Sequence, residues 1–178
     1  KKYQLGALNY LGILLILSFL TDALSISNFF WLRLGESINP VMNIYGMIEG
    51  VIVILLYQLE LSHAKRRVFS ILALSFTVSV LLELFVFRGA AVYPGTTRSA
   101  LGIIVTIFAL LYFFKLIRDL PSKSIFRVPM FWVNCGMLIY FSGNLFLFAM
   151  ADYLMYVLKD SMILYWSSHN FLGIVSYT

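Results

Sequence analysis

From Pro129 to Ala151 the chain carries no charged residue, and this run limits its fold more than any other feature. About 20 residues at 1.5 Å rise cross the roughly 30 Å hydrocarbon layer as a helix. In lipid the backbone must satisfy its own N–H and C=O groups, so an apolar run of this length reads as one membrane helix. Its surface is not uniform. Trp132, Gly136, Tyr140, Gly143 and Asn144 follow steps of four, four, three and one, which return to one helical face. The small residues would admit a neighbouring backbone. The polar ones call for protein or a water-filled cavity beside them.

The rest of the chain repeats this pattern. It is 61% hydrophobic and 12% charged, with a mean hydropathy of +0.91, whereas a soluble domain has about 25% charged residues. The expected fold is all-α: a polytopic transmembrane helical bundle, one domain over 1–178. Its six spans fall at about 4–21, 41–61, 68–87, 99–117, 129–150 and 161–178. The connection Asp22–Pro40 holds Phe29, Phe30 and Trp31, aromatics suited to the membrane interface. Met150 to Lys159 is interfacial on the same grounds. Tyr93-Pro94-Gly95 reads as a turn. The chain opens on Lys1 rather than Met and stops within an apolar run at Thr178. Both ends are therefore expected to be trimmed, with room for a seventh helix. Lys1 and Lys2 before an apolar stretch, with no clean cleavage site, read as a retained helix.

Charge fixes the expected orientation. Lys1, Lys2, Lys65, Arg66, Arg67, Lys115, Arg118, Lys123 and Arg127 fall on one side, and Arg33, Arg88, Arg98 and Lys159 on the other. The positive-inside rule places the first group, and the N-terminus, in the cytoplasm. The expected location is a bacterial inner membrane, crossed several times. The net charge of +5 belongs to these loops, not to a nucleic-acid surface. The single cysteine, Cys135, excludes an internal disulfide and reads as a small packing residue.

Glu49 and Glu83 are the residues that most need explaining. A carboxylate at the bilayer centre costs about 2.5–3.5 kcal/mol on insertion scales. It is therefore protonated, paired or turned toward a cavity. Glu49 lies within Gly46-xxx-Gly50, a close-approach motif, on a stripe with Asn43 and Tyr57. Glu83 lies about one turn from the end of the third span. Each is either a proton or ligand site or a hydrogen-bond donor to a neighbouring helix. Ser75, Thr77 and Ser79 beside them are able to bond back to their own helix. His169, beside Asn170, Ser167 and Ser168, adds an imidazole in the last span. Tyr140 and Asn144 complete the candidate ligand or proton site. It contains no catalytic residue and no metal ligand, since a lone histidine is a poor zinc site. Nucleotide-binding, metalloprotease and serine-hydrolase motifs are absent. No cofactor is implied: no lysine lies deep in a span for a Schiff base, and one histidine does not ligate haem twice.

The run PMFWVNCGMLIYFSGNLFLF, Pro129 to Phe148, resembles a segment of a family of uncharacterised bacterial multi-span membrane proteins with six to seven helices. Its usual form is close to PxFWINxGxLIYFSGNLFLF. Asn43-Ile44-Tyr45 with Glu49 is similar to the family's NIYxxxE. Tyr165-Trp166-Ser167-Ser168-His169-Asn170 is similar to its LWxxHxxxNI, with the later Asn out of register. The family is associated with sensor histidine kinase systems. The resemblance therefore implies a non-enzymatic sensory or signal-transducing module. Membrane lipid is the expected partner, and a signalling kinase and a second copy of the chain stay open. Two other readings also stay open. One is a small proton-coupled transporter using Glu49. The other is an intramembrane lipid-acting enzyme with His169 and a glutamate as acid and base.

Overall fold

The computed structural model describes residues 2–27, 39–61, 66–87, 89, 92–119, 125–151, 153–154, 167 and 171. Among them every regular element is a helix. Four helices are long and apolar enough to cross a membrane: Asn39–Leu61, Arg66–Phe87, Gly95–Asp119 and Pro129–Ala149. A shorter apolar stretch, Asn9–Leu24, lies within the first helix. The described residues are thus all helical in their regular structure, and four of the helices have the length and apolarity of a membrane protein. The connection around Phe29–Trp31, most of Met150–Lys159 and nearly all of the last expected span lie outside the described residues. The helices fall into two compact units, Lys1–Thr97 and Arg98–Thr178.

The first unit contains α1 (Lys2–Ser27), α2 (Asn39–Leu61) and α3 (Arg66–Leu82). The middle helix packs against both others. Lipid tails are as apolar as leucine, so no hydrophobic force drives such helices together. Close packing and hydrogen bonds do so instead. The sequence of α3 accordingly buries only one stripe, Phe69, Ala73, Phe76 and Val80, at steps of four, three and four. Ile71 and Leu74 are more than half exposed on its outer side, as suits a lipid-facing surface. The polar residues of these helices consume their own hydroxyls. Thr77 donates to the Ala73 carbonyl and Ser79 to that of Ser75, both at 2.9 Å. Thr21 likewise donates to the Leu17 carbonyl at 2.9 Å. There α1 does not stop, as expected from Asp22, but continues to Ser27.

Glu83–Phe87 widens into a π-helical turn at the end of α3. Gly89 follows at φ +80°, a conformation that favours glycine. The Val92 N–H returns to the Gly89 carbonyl at 3.4 Å, and the Gly95 N–H to that of Tyr93 at 2.9 Å. Helix α4 (Gly95–Asp119) therefore starts immediately after Pro94, four residues before the expected Ser99. Proline lacks the N–H that a helix interior requires and ends the turn there.

The second unit holds the rest of α4, a 3₁₀ turn at Ile125–Arg127 and α5 (Pro129–Ala149). Proline at the first helical position sets the start of α5, and Val128 before it is extended. Along α4, Leu101, Val105, Ala109, Tyr112 and Leu116 form one buried stripe. The two helices run antiparallel. Gly102 lies against Leu145 and Phe141, Ala109 meets Asn134, and Phe113 meets Phe131.

Candidate functional site

In the first unit the stripe expected on α2 is its buried face. Asn43, Gly46, Glu49, Gly50 and Tyr57 are all buried. Glu49 is 8% exposed, in the middle of the helix. Gly46 and Gly50 flank it, and the ring of Phe76 from α3 seats on Gly50. Asn43 ties the helix to the turn before α4. Its Nδ2 donates to the Val92 carbonyl at 3.0 Å and to the Asn39 carbonyl at 3.0 Å. Among the described residues one buried side-chain acceptor on α2 has no hydrogen-bond partner: Oε1 of Gln58, near the helix end. A buried acceptor left this way costs about 1–3 kcal/mol. Gln58 was not legible as a candidate, because a glutamine near a span terminus looks interfacial.

Glu83 sits in the π-helical turn, half-buried, and its carboxylate faces the first turn of α4. The Thr96 hydroxyl donates to Oε1 at 2.5 Å, and the Thr97 hydroxyl to Oε2 at 2.7 Å. A negative group at a helix N-terminus is also favoured by the helix dipole. Glu83 thus closes the α3–α4 connection. Removing both hydroxyls in Thr96→Ala/Thr97→Ala is expected to cost about 1–2 kcal/mol. Amide hydrogen exchange checks this: protection should fall in the first turn of α4 and hold in α2. Unchanged exchange at residues 96–99 would show that the carboxylate does not hold this turn.

In the second unit Asn144 and Tyr140 come together. Asn144 is fully buried, and its Nδ2 donates to the Tyr140 carbonyl one turn back at 2.9 Å. The Tyr140 ring packs edge to face on Phe141, with centroids 5.1 Å apart. The rest of the expected face does not hold. The buried residues of α5 are Met130, Asn134, Phe141, Asn144 and Phe148. This set is turned roughly two-fifths of the way round the helix from Trp132, Gly136 and Gly143, at about 100° per residue. Trp132 is 59% exposed. The helix turns its two asparagines inward, because lipid offers them no partner. Asn134, fully buried, donates to the Ala109 carbonyl of α4 at 3.0 Å. It was missed as a candidate, although a second amide ten residues before Asn144 was a readable signal.

His169 lies outside the described residues. Among those described, no group of three His, Cys, Asp or Glu side chains is placed to hold a metal ion. Glu49 and Glu83 belong to the first unit, and Tyr140 and Asn144 to the second. The first unit thus buries the carboxyl group of Glu49, and the second buries the amides of Asn134 and Asn144. No protein-family model, no curated protein and no solved structure matches the chain.

Proposed function

We propose that this chain is the membrane part of a non-enzymatic sensory or signal-transducing protein. In this reading it crosses a bacterial inner membrane six times, with its N-terminus in the cytoplasm. It responds to a proton or small polar ligand within the membrane and passes the change to a signalling kinase. The observation that carries the reading is Glu49, a carboxyl group 8% exposed in the middle of a membrane-length helix. Such a group is costly in lipid, and intramembrane ionisable residues commonly mark sites of function. The two glycines beside it make its surroundings sensitive to small shifts between α2 and α3. The resemblance of the Pro129–Phe148 run supplies the kinase association, and the charge asymmetry of the loops supplies the orientation.

Native mass spectrometry of the full-length protein, purified gently from its host membranes, tests this. A co-purifying kinase or a defined small molecule is expected, with the small molecule lost in Glu49→Gln. A bare chain carrying bulk lipid alone would overturn the reading.

A further inference from the structure

At the α4–α5 connection the second unit carries a ring cluster with no part in the site around Glu49. Phe131 meets Phe126 with centroids 5.6 Å apart and Trp132 with centroids 5.3 Å apart, both edge to face. The Trp132 indole N–H donates to the Phe126 carbonyl at 3.0 Å. An interfacial tryptophan ordinarily leaves that donor to headgroups and water. Here it is spent inside the protein, and it fixes the ring across the 3₁₀ turn. The rings are nevertheless open: Trp132 is 59% exposed and Phe126 is 68% exposed. They sit where α4 ends and α5 begins. The outward apolar side chains Phe114 and Ile117 of α4 reach the same end.

Charge gathers at this end too. Arg127 follows Phe126 directly and is exposed, and Arg118 closes α4. Arg118 is engaged by Asp119 at 2.9 Å, and Arg127, exposed and next to Phe126 in the chain, is the described cation adjoining the ring cluster in sequence. The segment 115–127 carries Lys115, Arg118, Lys123 and Arg127 against the one carboxylate of Asp119. A rigid aromatic surface at the end of two apolar helices, edged by excess positive charge, complements one kind of molecule. That molecule has acyl chains, a glycerol backbone and a negative headgroup.

We propose that the Phe126/Trp132 platform with Arg127 binds the headgroup region of an anionic phospholipid. The rings cover the glycerol and upper acyl segments, and the guanidinium takes the phosphate as a two-pronged donor. The site rests on the membrane placement proposed above and not on the sensory role. Basic residues at a membrane surface each favour anionic lipid by roughly fivefold in binding constant.

The test uses the full chain with Trp31→Phe and Trp166→Phe, which leaves Trp132 as the single tryptophan of the three. It is reconstituted into vesicles of phosphatidylcholine with brominated phosphatidylglycerol or brominated phosphatidylcholine at equal bromine. Quenching of Trp132 is expected to give a relative binding constant of roughly five or more for phosphatidylglycerol. Adding Arg127→Gln should bring the ratio toward one. Equal quenching by both lipids, or a ratio that ignores Arg127→Gln, overturns the site and leaves the membrane placement standing. No quenching by either lipid overturns both. Native mass spectrometry of the unsubstituted chain with the two lipids in competition gives the same comparison without the tryptophan replacements. There phosphatidylglycerol should be retained preferentially, and equal retention overturns the proposal.

Discussion

Replacing Gly50 with leucine is expected to separate α2 from α3, and Gly50→Ala to weaken their contact. A methyl group on Gly50 would lie 2.2 Å from Cε1 of Phe76 and 2.7 Å from Cζ. Real carbon atoms do not approach so closely, and the ring is only 6% exposed, so it has little room to withdraw. Overpacking of this kind costs about 1–3 kcal/mol. The alanine variant should unfold at a lower denaturant midpoint in detergent, and the leucine variant lower still. Gly12 in α1 is the control, since nothing lies within 4 Å of an added Cβ there. Gly12→Ala should be neutral or gain up to about 1 kcal/mol from helix propensity. Phe76→Leu should recover part of the Gly50→Ala loss, with a coupling of about 0.5–3 kcal/mol, as expected of side chains in contact. A Gly50→Ala protein as stable as the parent would show that the glycine is not needed for this approach.

The same pair of positions shows what the sequence made legible. The spacing Gly46-xxx-Gly50 with Asn43, Glu49 and Tyr57 was enough to find the buried face of α2. Polar and small residues in lipid have one acceptable direction, inward. The hydroxyls of Thr77 and Ser79 were equally readable, because a back-bond to the preceding turn needs no tertiary information. What failed was the face of α5. That helix is apolar on every side, so periodicity alone gives no direction. The choice of Trp132, Gly136 and Gly143 rested on size and aromaticity, which serve equally well toward lipid. The two amides decide the matter, and their partners are carbonyl groups that no side-chain pattern reveals. Glu83 was hidden differently. Its meaning depends on Thr96 and Thr97, brought back by the positive-φ turn at Gly89. Without that turn the sequence does not show that the two hydroxyls meet this carboxyl.

Asn134 is where the second unit is most vulnerable, and three side chains of similar size separate the reasons. Its Nδ2–H reaches the Ala109 carbonyl at 3.0 Å, and the residue is fully buried. Asn134→Leu keeps the branched shape and the number of heavy atoms, and removes one helix-to-helix hydrogen bond. Such bonds are worth about 0.6 kcal/mol on average and up to about 1.7 in membrane proteins. The Ala109 carbonyl keeps the bond it accepts within its own helix, so the leucine variant should lose modestly. Asn134→Asp is different. An ionised aspartate has no donor to offer, and it would set a carboxylate oxygen against a carbonyl oxygen at zero exposure. A charge in such a place costs about 2.5–3.5 kcal/mol on insertion scales, and protonating the group recovers part of that at the expense of pH sensitivity. The expected order in detergent unfolding is therefore Asn above Leu above Asp. Were leucine to cost as much as aspartate, the lost hydrogen bond and not the buried charge would govern the position. Were aspartate to cost nothing, Asn134 would not be pointing its amide at α4 at all.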